Sequence, residues 1–156
     1  MNPFKQKGCT LGDSIVDWKT IAAKPYNKKT TDPYTKIRII LMNGTEFESV
    51  WLGHQINRHT DNNDLRREVA LLRRVEQQQQ KRISGLKPID ESILETTIGY
   101  EMLAVDLTAA LAKREKDPIV KKALDFALLE DFDHLYRYAD LMDMETGEAA
   151  EKLVGG

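Results

Sequence analysis

After residue 45, apolar positions recur every three or four residues along most of the chain, which is the pattern of amphipathic helices. The pattern predicts a first helix from Thr45 to a break at 59–61, and a second helix over 62–84. Leu65 and Val69 lie on the inner face of the second helix, four residues apart. These two segments are therefore predicted to form a first helical hairpin.

Two further helices follow, and each has a start signal. Residues Ser92 to Glu95 (SILE) have the form of a capping box, with Asp90 as an alternative cap, and the third helix is predicted to continue to about Ala112. Asp117-Pro118 combines a cap residue with a proline at the first helical position, and the fourth helix is predicted to continue to about Met144. The short turn between these helices predicts a second, antiparallel hairpin.

The chain before the first predicted helix is less regular and contains three prolines. Residues 36–42 (KIRIILM) alternate at first and then become continuously apolar, so they form either a short strand that ends at Asn43-Gly44 or the beginning of a helix. The strand is preferred, and it would need a partner strand in another subunit. The predicted organisation is an irregular arm over 1–44, a helix-bundle domain over 45–146 and a tail over 147–156.

Length and composition restrict the function classes. A chain of 156 residues is long enough for one domain with a real core and too short to expect two. The formal net charge of -2 and the pI of about 6.0 argue against a nucleic-acid-binding surface. No apolar run reaches the length of a membrane span, the N-terminus has no signal-peptide core, and the single cysteine, Cys9, excludes an internal disulfide. A cytoplasmic protein is predicted.

Two acids and a histidine fall on the inner faces of the third and fourth helices. Glu101 lies in the middle of the apolar stripe of the third helix, while Asp131 and His134 lie one turn apart on the apolar side of the fourth. Because Glu101 and Asp131 are about equally far from the turn, they are predicted to face each other. Two facing carboxylates in apolar surroundings cost several kcal/mol unless one is protonated or a cation lies between them. A divalent metal with His134 as a further ligand removes that cost; the alternative is three side chains at the core margin whose polar ends reach water.

A shift of 55 residues aligns the first hairpin with the second and repeats this pattern. It places three polar residues of the first hairpin at the positions of the acids and the histidine: Glu46, Glu76 and Gln79. Each hairpin thus has an acid, a second acid 30 residues later and a polar side chain three residues further on. The first hairpin is predicted to hold a weaker second half-site.

This arrangement resembles the ferritin-like carboxylate-bridged di-metal family, which includes ferritins and rubrerythrins. In that family one helix provides a Glu and the next provides Glu-x-x-His, and the pair occurs twice in a four-helix bundle. The resemblance implies that Glu101 is the single glutamate, Asp131 the bridging carboxylate and His134 the nitrogen ligand, with Glu46, Glu76 and Gln79 as weaker ligands. It further implies two iron ions, or manganese, that react with dioxygen or peroxide or handle iron. We also expect a homo-oligomer of at least two chains, with an electron-donor protein as partner.

The sequence departs from the family at three points. Asp131 is one methylene shorter than glutamate, and Gln79 stands where the family has its second histidine. Only Ser84 to Asp90 connect the hairpins, which suits adjacent antiparallel helices, or a homodimer that completes the bundle with two copies of Glu101, Asp131 and His134. A metal-free helical scaffold or oligomerisation module is the alternative function.

Overall fold

The computed structural model describes Asp17, Lys19, residues 23–147, Ala149 and Leu153. Four α-helices contain most of these residues, and no strand occurs among them, which confirms the prediction of a mainly α fold of four helices. The helices are α1 (Pro33–His59), α2 (Asn63–Ser84), α3 (Ile93–Arg114) and α4 (Pro118–Thr146). Within the described part of the chain, no helix combines the length and the apolar character that crossing a bilayer requires.

The predicted strand over 36–42 is wrong, because these residues belong to α1. Helix α1 begins at Pro33, so the irregular arm does not extend to residue 44. The Asp32 carboxylate accepts a hydrogen bond from the backbone N–H of Thr35 at 3.0 Å, as a helix-capping side chain does, and Pro33 occupies the first helical position. Asp32-Pro33 is therefore the same start signal as Asp117-Pro118, placed ahead of an apolar run that was interpreted as a strand.

The dipeptide Asn43-Gly44, interpreted as a turn, lies inside α1. A glycine within a helix costs roughly 1 kcal/mol relative to alanine, so neighbouring contacts have to maintain the helix here. The side-chain amide of Gln80 on α2 donates to the Asn43 side-chain oxygen at 3.0 Å. This long-range hydrogen bond gives Asn43 a partner within the helix, which a turn prediction from two adjacent residues cannot take into account.

The start signals predicted for α3 and α4 are confirmed, and α2 has a cap at Asn62 that was not predicted. The Asn62 side chain caps α2, and Ser92, rather than Asp90, caps α3 in a complete capping box with Glu95. Asp117 caps α4 by accepting hydrogen bonds from two backbone N–H groups, and Gly147 ends that helix in the left-handed conformation. These ends place Glu101 and Asp131 at matching levels of the α3–α4 hairpin.

The chain divides into two compact units, Met1–Pro25 with Met42–Leu86, and Tyr26–Leu41 with Lys87–Gly156. In the first unit, the second part of α1 packs on α2 as a hairpin. A Cβ atom added to buried Gly53 would lie 2.5 Å from Arg73 Cγ, so glycine allows the α2 side chain to approach the α1 backbone closely. Val69 is buried at this level, 7% exposed.

In the second unit, the first turns of α1 pack against the α3–α4 hairpin. The core contains Ile98 of α3 and Met142 of α4, and Ile37 and Ile40 of α1 are also buried. Gly99 makes room for α1, because a Cβ atom at that position would lie 2.8 Å from Ile40 Cδ1. The first turns of α1 thereby support the hairpin that carries Glu101, Asp131 and His134.

Candidate metal centre

The structure brings Glu101, Asp131 and His134 together. Glu101 projects from the middle of α3, and Asp131 and His134 project from consecutive turns of α4. Each side chain offers one donor atom, which is a carboxylate oxygen for Glu101 and Asp131 and an imidazole nitrogen for His134. These three atoms all lie within 4.8 Å of one another. The predicted convergence of the three side chains at one level of the hairpin is thus present, while their role as metal ligands stays a prediction.

The cluster lies at the margin of the hairpin core. The Glu101 side chain is 19% exposed and that of His134 is 49% exposed, with His134 Nδ1 3.8 Å from Glu101 Oε2. The two carboxylates face each other in partly buried surroundings, where their repulsion is less screened than in water. A cation among the three donors would offset that repulsion, and the exposed edge at His134 gives an ion access from solvent.

Thr108 is a further member of the site that the sequence analysis did not identify. Its hydroxyl donates a hydrogen bond to Asp131 Oδ2 at 3.0 Å, from a position on α3 two turns beyond Glu101. This bond orients the carboxylate and leaves the other oxygen, Oδ1, for a ligand. A signal was available, because Thr108 lies on the same inner stripe as Glu101 at a spacing of seven residues.

The acids beside the cluster do not join it. Asp133 is exposed and forms an ion pair with Arg137 on the same helix, with 2.6 Å between Oδ2 and Nε. Glu130 is exposed as well. Helical phase thus separates two solvent-facing acids from Asp131, although all three lie within four consecutive residues.

The first hairpin gathers its three predicted residues in the same way. With its amide oriented so that the nitrogen faces the acids, Gln79 donates to Glu76 Oε2 at 3.1 Å and to Glu46 Oε2 at 3.3 Å. Glu46 lies in hydrogen-bond contact with Glu76, and burial together with this acidic neighbour raises the pKa of Glu46 to about 7. Glu46 therefore keeps a proton up to about neutral pH and can donate it to a hydrogen bond with Glu76, while Gln79 donates to one oxygen of each acid.

The two clusters differ in chemistry although they occupy matching positions. The glutamine amide donates to both acids in the first hairpin, where the second hairpin has an imidazole, a side chain that can act as a metal ligand. Gly53 stands at the repeat position of Thr108 and offers no hydroxyl to orient a carboxylate. The α3–α4 cluster is thus suited to a metal ion, and the α1–α2 cluster is satisfied by a proton and an amide.

A scan against protein-family models, a search of curated proteins and a search of solved structures each found no match to this chain. Any proposal of function therefore rests on the sequence motifs and on the geometry and chemistry of the site.

Proposed function

We propose that the α3–α4 hairpin binds a divalent transition metal through Glu101, Asp131 and His134, as part of a ferritin-like non-haem carboxylate centre. The observation that carries the proposal is the approach of three donor atoms to within 4.8 Å of one another. Two carboxylate oxygens and one imidazole nitrogen suit iron and manganese, whereas the cluster contains no thiolate that would favour softer metals. The residues present therefore fit the metal that the family resemblance implies.

The side chains have distinct parts in this proposal. Glu101 and Asp131 supply negative charge from the two helices, so that binding a cation links α3 to α4. Thr108 holds Asp131 in orientation through its 3.0 Å hydrogen bond, as outer-shell donors do at metal sites. His134 provides the nitrogen ligand at the solvent edge, where its 49% exposure leaves room for small molecules to approach.

Bound iron or manganese would supply redox chemistry toward dioxygen or peroxide, and the family resemblance makes oxidation of iron a variant of the same proposal. An oxidase, peroxidase or ferroxidase activity of this kind requires an electron source, so an electron-donor protein is a proposed partner. We also propose a homo-oligomer of at least two chains, because three ligands from one hairpin leave coordination positions on the metal open. A cytoplasmic location is part of the same proposal.

Elemental analysis of protein purified without chelator tests metal binding directly. We expect the wild-type protein to hold about one iron or manganese ion per chain, given one three-donor cluster of this kind on α3–α4, and Glu101→Ala to lose it. Glu130→Ala is the matched control, because Glu130 is an exposed acid beside the site and its removal should leave the metal content unchanged. Anaerobic titration with iron(II) then measures the affinity of each variant.

Metal at trace level in the wild-type protein, unchanged by Glu101→Ala and absent after titration, would contradict the proposal. Oxidation of added iron(II), followed as dioxygen consumption, separates a catalytic centre from a storage or structural site. We expect consumption by the wild-type protein to exceed that by Glu101→Ala.

A metal-free helical scaffold or oligomerisation module is the second candidate function. It is favoured by the α1–α2 cluster, in which Glu46, Glu76 and Gln79 satisfy one another by hydrogen bonds. Under this alternative, Glu101→Ala alters neither the metal content nor the chemistry of the protein. The elemental analysis described above therefore decides between the two candidates.

A further inference from the structure

An uncharged stripe follows one side of α3 beside the metal-site residues. Its positions alternate in spacing between four and three residues, so they share one helix face. We call it the α3 stripe, and its residues are Ile93, Thr97, Tyr100, Ala104, Leu107 and Leu111. The four large apolar members are 83%, 43%, 38% and 48% exposed in chain order. An uncharged, exposed face of about five helical turns is typical of a protein–protein interface.

We propose that the α3 stripe is the docking face for α3 of a second copy of this chain, with the two helices antiparallel. The inference deepens the proposed function and rests on it, because the second copy completes the metal centre. The pairing has two-fold symmetry, so each position of the stripe meets a different position of its copy.

When two stripes run antiparallel, the side chains that face each other are complementary in size. The midpoint lies at residue 102, so Ile93 faces Leu111, Thr97 faces Leu107, and Tyr100 faces Ala104 of the other copy. The largest side chain thus meets the smallest next to the centre, where two helices approach most closely. The apolar pair of Ile93 and Leu111 lies at each end of the contact, where it shields the hydroxyl groups of Thr97 and Tyr100 from water.

The charges at the ends of α3 favour the antiparallel orientation. The start of α3 has three acids, Asp90, Glu91 and Glu95, whose ion-pair partners are Lys28 and Lys87. Its end has three basic residues, Lys113, Arg114 and Lys116, next to Glu115 and Asp117. The start therefore has one net negative charge and the end has one net positive charge. Antiparallel pairing places the acidic start of one helix beside the basic end of the other, and it also opposes the helix dipoles. Parallel pairing would place like charges together at both ends.

The same register places the metal-site residues of the two chains at nearly the same height along the paired helices. Glu101 lies one residue from the midpoint, so the two copies of Glu101 are separated along the axis by only about 3 Å, at a rise of about 1.5 Å per residue. Each cluster supplies three donors, and a carboxylate of the other copy can occupy a position that remains open. The pair of chains then holds two ions, which agrees with the two-metal centre that the resemblance implies.

Helix α1 is less suited to this partnership. The positions 55 residues before the stripe include one arginine and two hydroxyl side chains: Arg38, Met42, Thr45, Ser49, Leu52 and Ile56. Pairing α3 with that face would desolvate a guanidinium group without a matching acid on the stripe. That face of α1 is therefore a poorer complement of the α3 stripe than a second copy of the stripe itself.

Sedimentation and light scattering of charge variants of the full chain test the pairing and its register. We expect the wild-type protein to have twice the 17.8 kDa mass of one chain, or a multiple of that. Leu107→Lys should reduce the mass at least two-fold, because it places an unpaired charge in the interface. Leu129→Lys is the matched control. Leu129 is 70% exposed and lies on α4, outside the α3 stripe, so this substitution should leave the mass unchanged.

The combination Thr97→Glu with Leu107→Lys should restore the wild-type mass. In the antiparallel register the new glutamate of one chain faces the new lysine of the other, whereas within one chain the two positions lie three turns apart. Thr97→Lys with Leu107→Lys should not restore it. If Leu107→Lys loses helix content by circular dichroism, the pair Ile93→Glu with Leu111→Lys tests the same register.

A monomeric wild-type protein, an oligomer unaffected by Leu107→Lys, or a failure of both charge pairs to restore the mass would each overturn the inference. These results would leave the proposed function untouched. That function is tested separately, by the metal content of the protein and its loss in Glu101→Ala, which can be measured on a monomer. We further expect Leu107→Lys to weaken iron(II) binding and the charge pair to recover it.

Discussion

Replacing Glu46 by glutamine should stabilise the protein at alkaline pH and leave its stability in weak acid almost unchanged. The pKa of Glu46 is about 7 in the folded protein, because burial and the neighbouring Glu76 both disfavour its charged form. In the unfolded chain the group titrates near its ordinary value of 4.5. Between these values the folded state binds more protons than the unfolded state, so the stability contributed by this pair falls as the pH rises from about 4.5 to 7.

The size of the effect follows from the rise in the pKa. A change from 4.5 to about 7 corresponds to about 3 kcal/mol for a fully desolvated group. Glu46 is only half-buried, and screening by water reduces the expected penalty to about 1–2 kcal/mol. Glutamine at this position removes the penalty, because its amide can donate a hydrogen bond to Glu76 without a proton from solution.

Urea unfolding followed by circular dichroism, in EDTA at a series of pH values from 5 to 8.5, measures this difference. The free energy of unfolding of Glu46→Gln relative to wild type should increase with pH across the series. Glu48→Gln is the matched control, because Glu48 is an exposed acid on the same helix. Parallel pH profiles for wild type and Glu46→Gln would refute the reasoning and show that the pKa of Glu46 is not raised in the folded protein.

Three further changes test the fold and the metal site. Asp32→Ala should lower the free energy of unfolding by about 1 kcal/mol, because α1 loses its cap, and an unchanged urea midpoint would contradict that role. Gly44→Ala should raise it by about 0.5–1 kcal/mol in the same assay, since nothing lies within 4 Å of an added Cβ, and a decrease would argue against a helix at this point. Thr108→Val should weaken iron(II) binding about ten-fold in anaerobic titration, because Asp131 loses its orienting hydrogen bond, whereas unchanged affinity would remove Thr108 from the site.

The helix ends show where local signals were sufficient. The caps at Asn62, Ser92 and Asp117 act on backbone N–H groups two or three residues away, so neighbouring residues determine them. The segment 36–42 differs, because a short apolar run has no periodicity that separates a strand from a buried helix. In the structure this segment is helical, and it buries Ile37 and Ile40, three residues apart, with Ile40 next to Gly99 of α3.

The site shows the same division. Helical phase and equal distances from a turn were enough to predict that Glu101, Asp131 and His134 would converge, because an α-helix has a regular period. The hydrogen bond from Thr108 to Asp131 was not predicted. It depends on how α3 and α4 are rotated against each other, to within a fraction of a turn, and that rotation is set by packing around Ile98 and Met142.

The amino-acid sequence by itself determined the number of helices after residue 60, their ends, and the repeated placement of two acids and a third polar group on each hairpin. Tertiary structure decided that residues 36–42 belong to a helix and not to a strand, that Gln79 satisfies Glu46 and Glu76, and that the α3 stripe is exposed. The physical reason is how far apart in the sequence the interacting residues lie. Caps and helical periodicity arise from interactions within one or two turns, whereas side-chain protonation and exposure depend on residues brought close from distant parts of the chain.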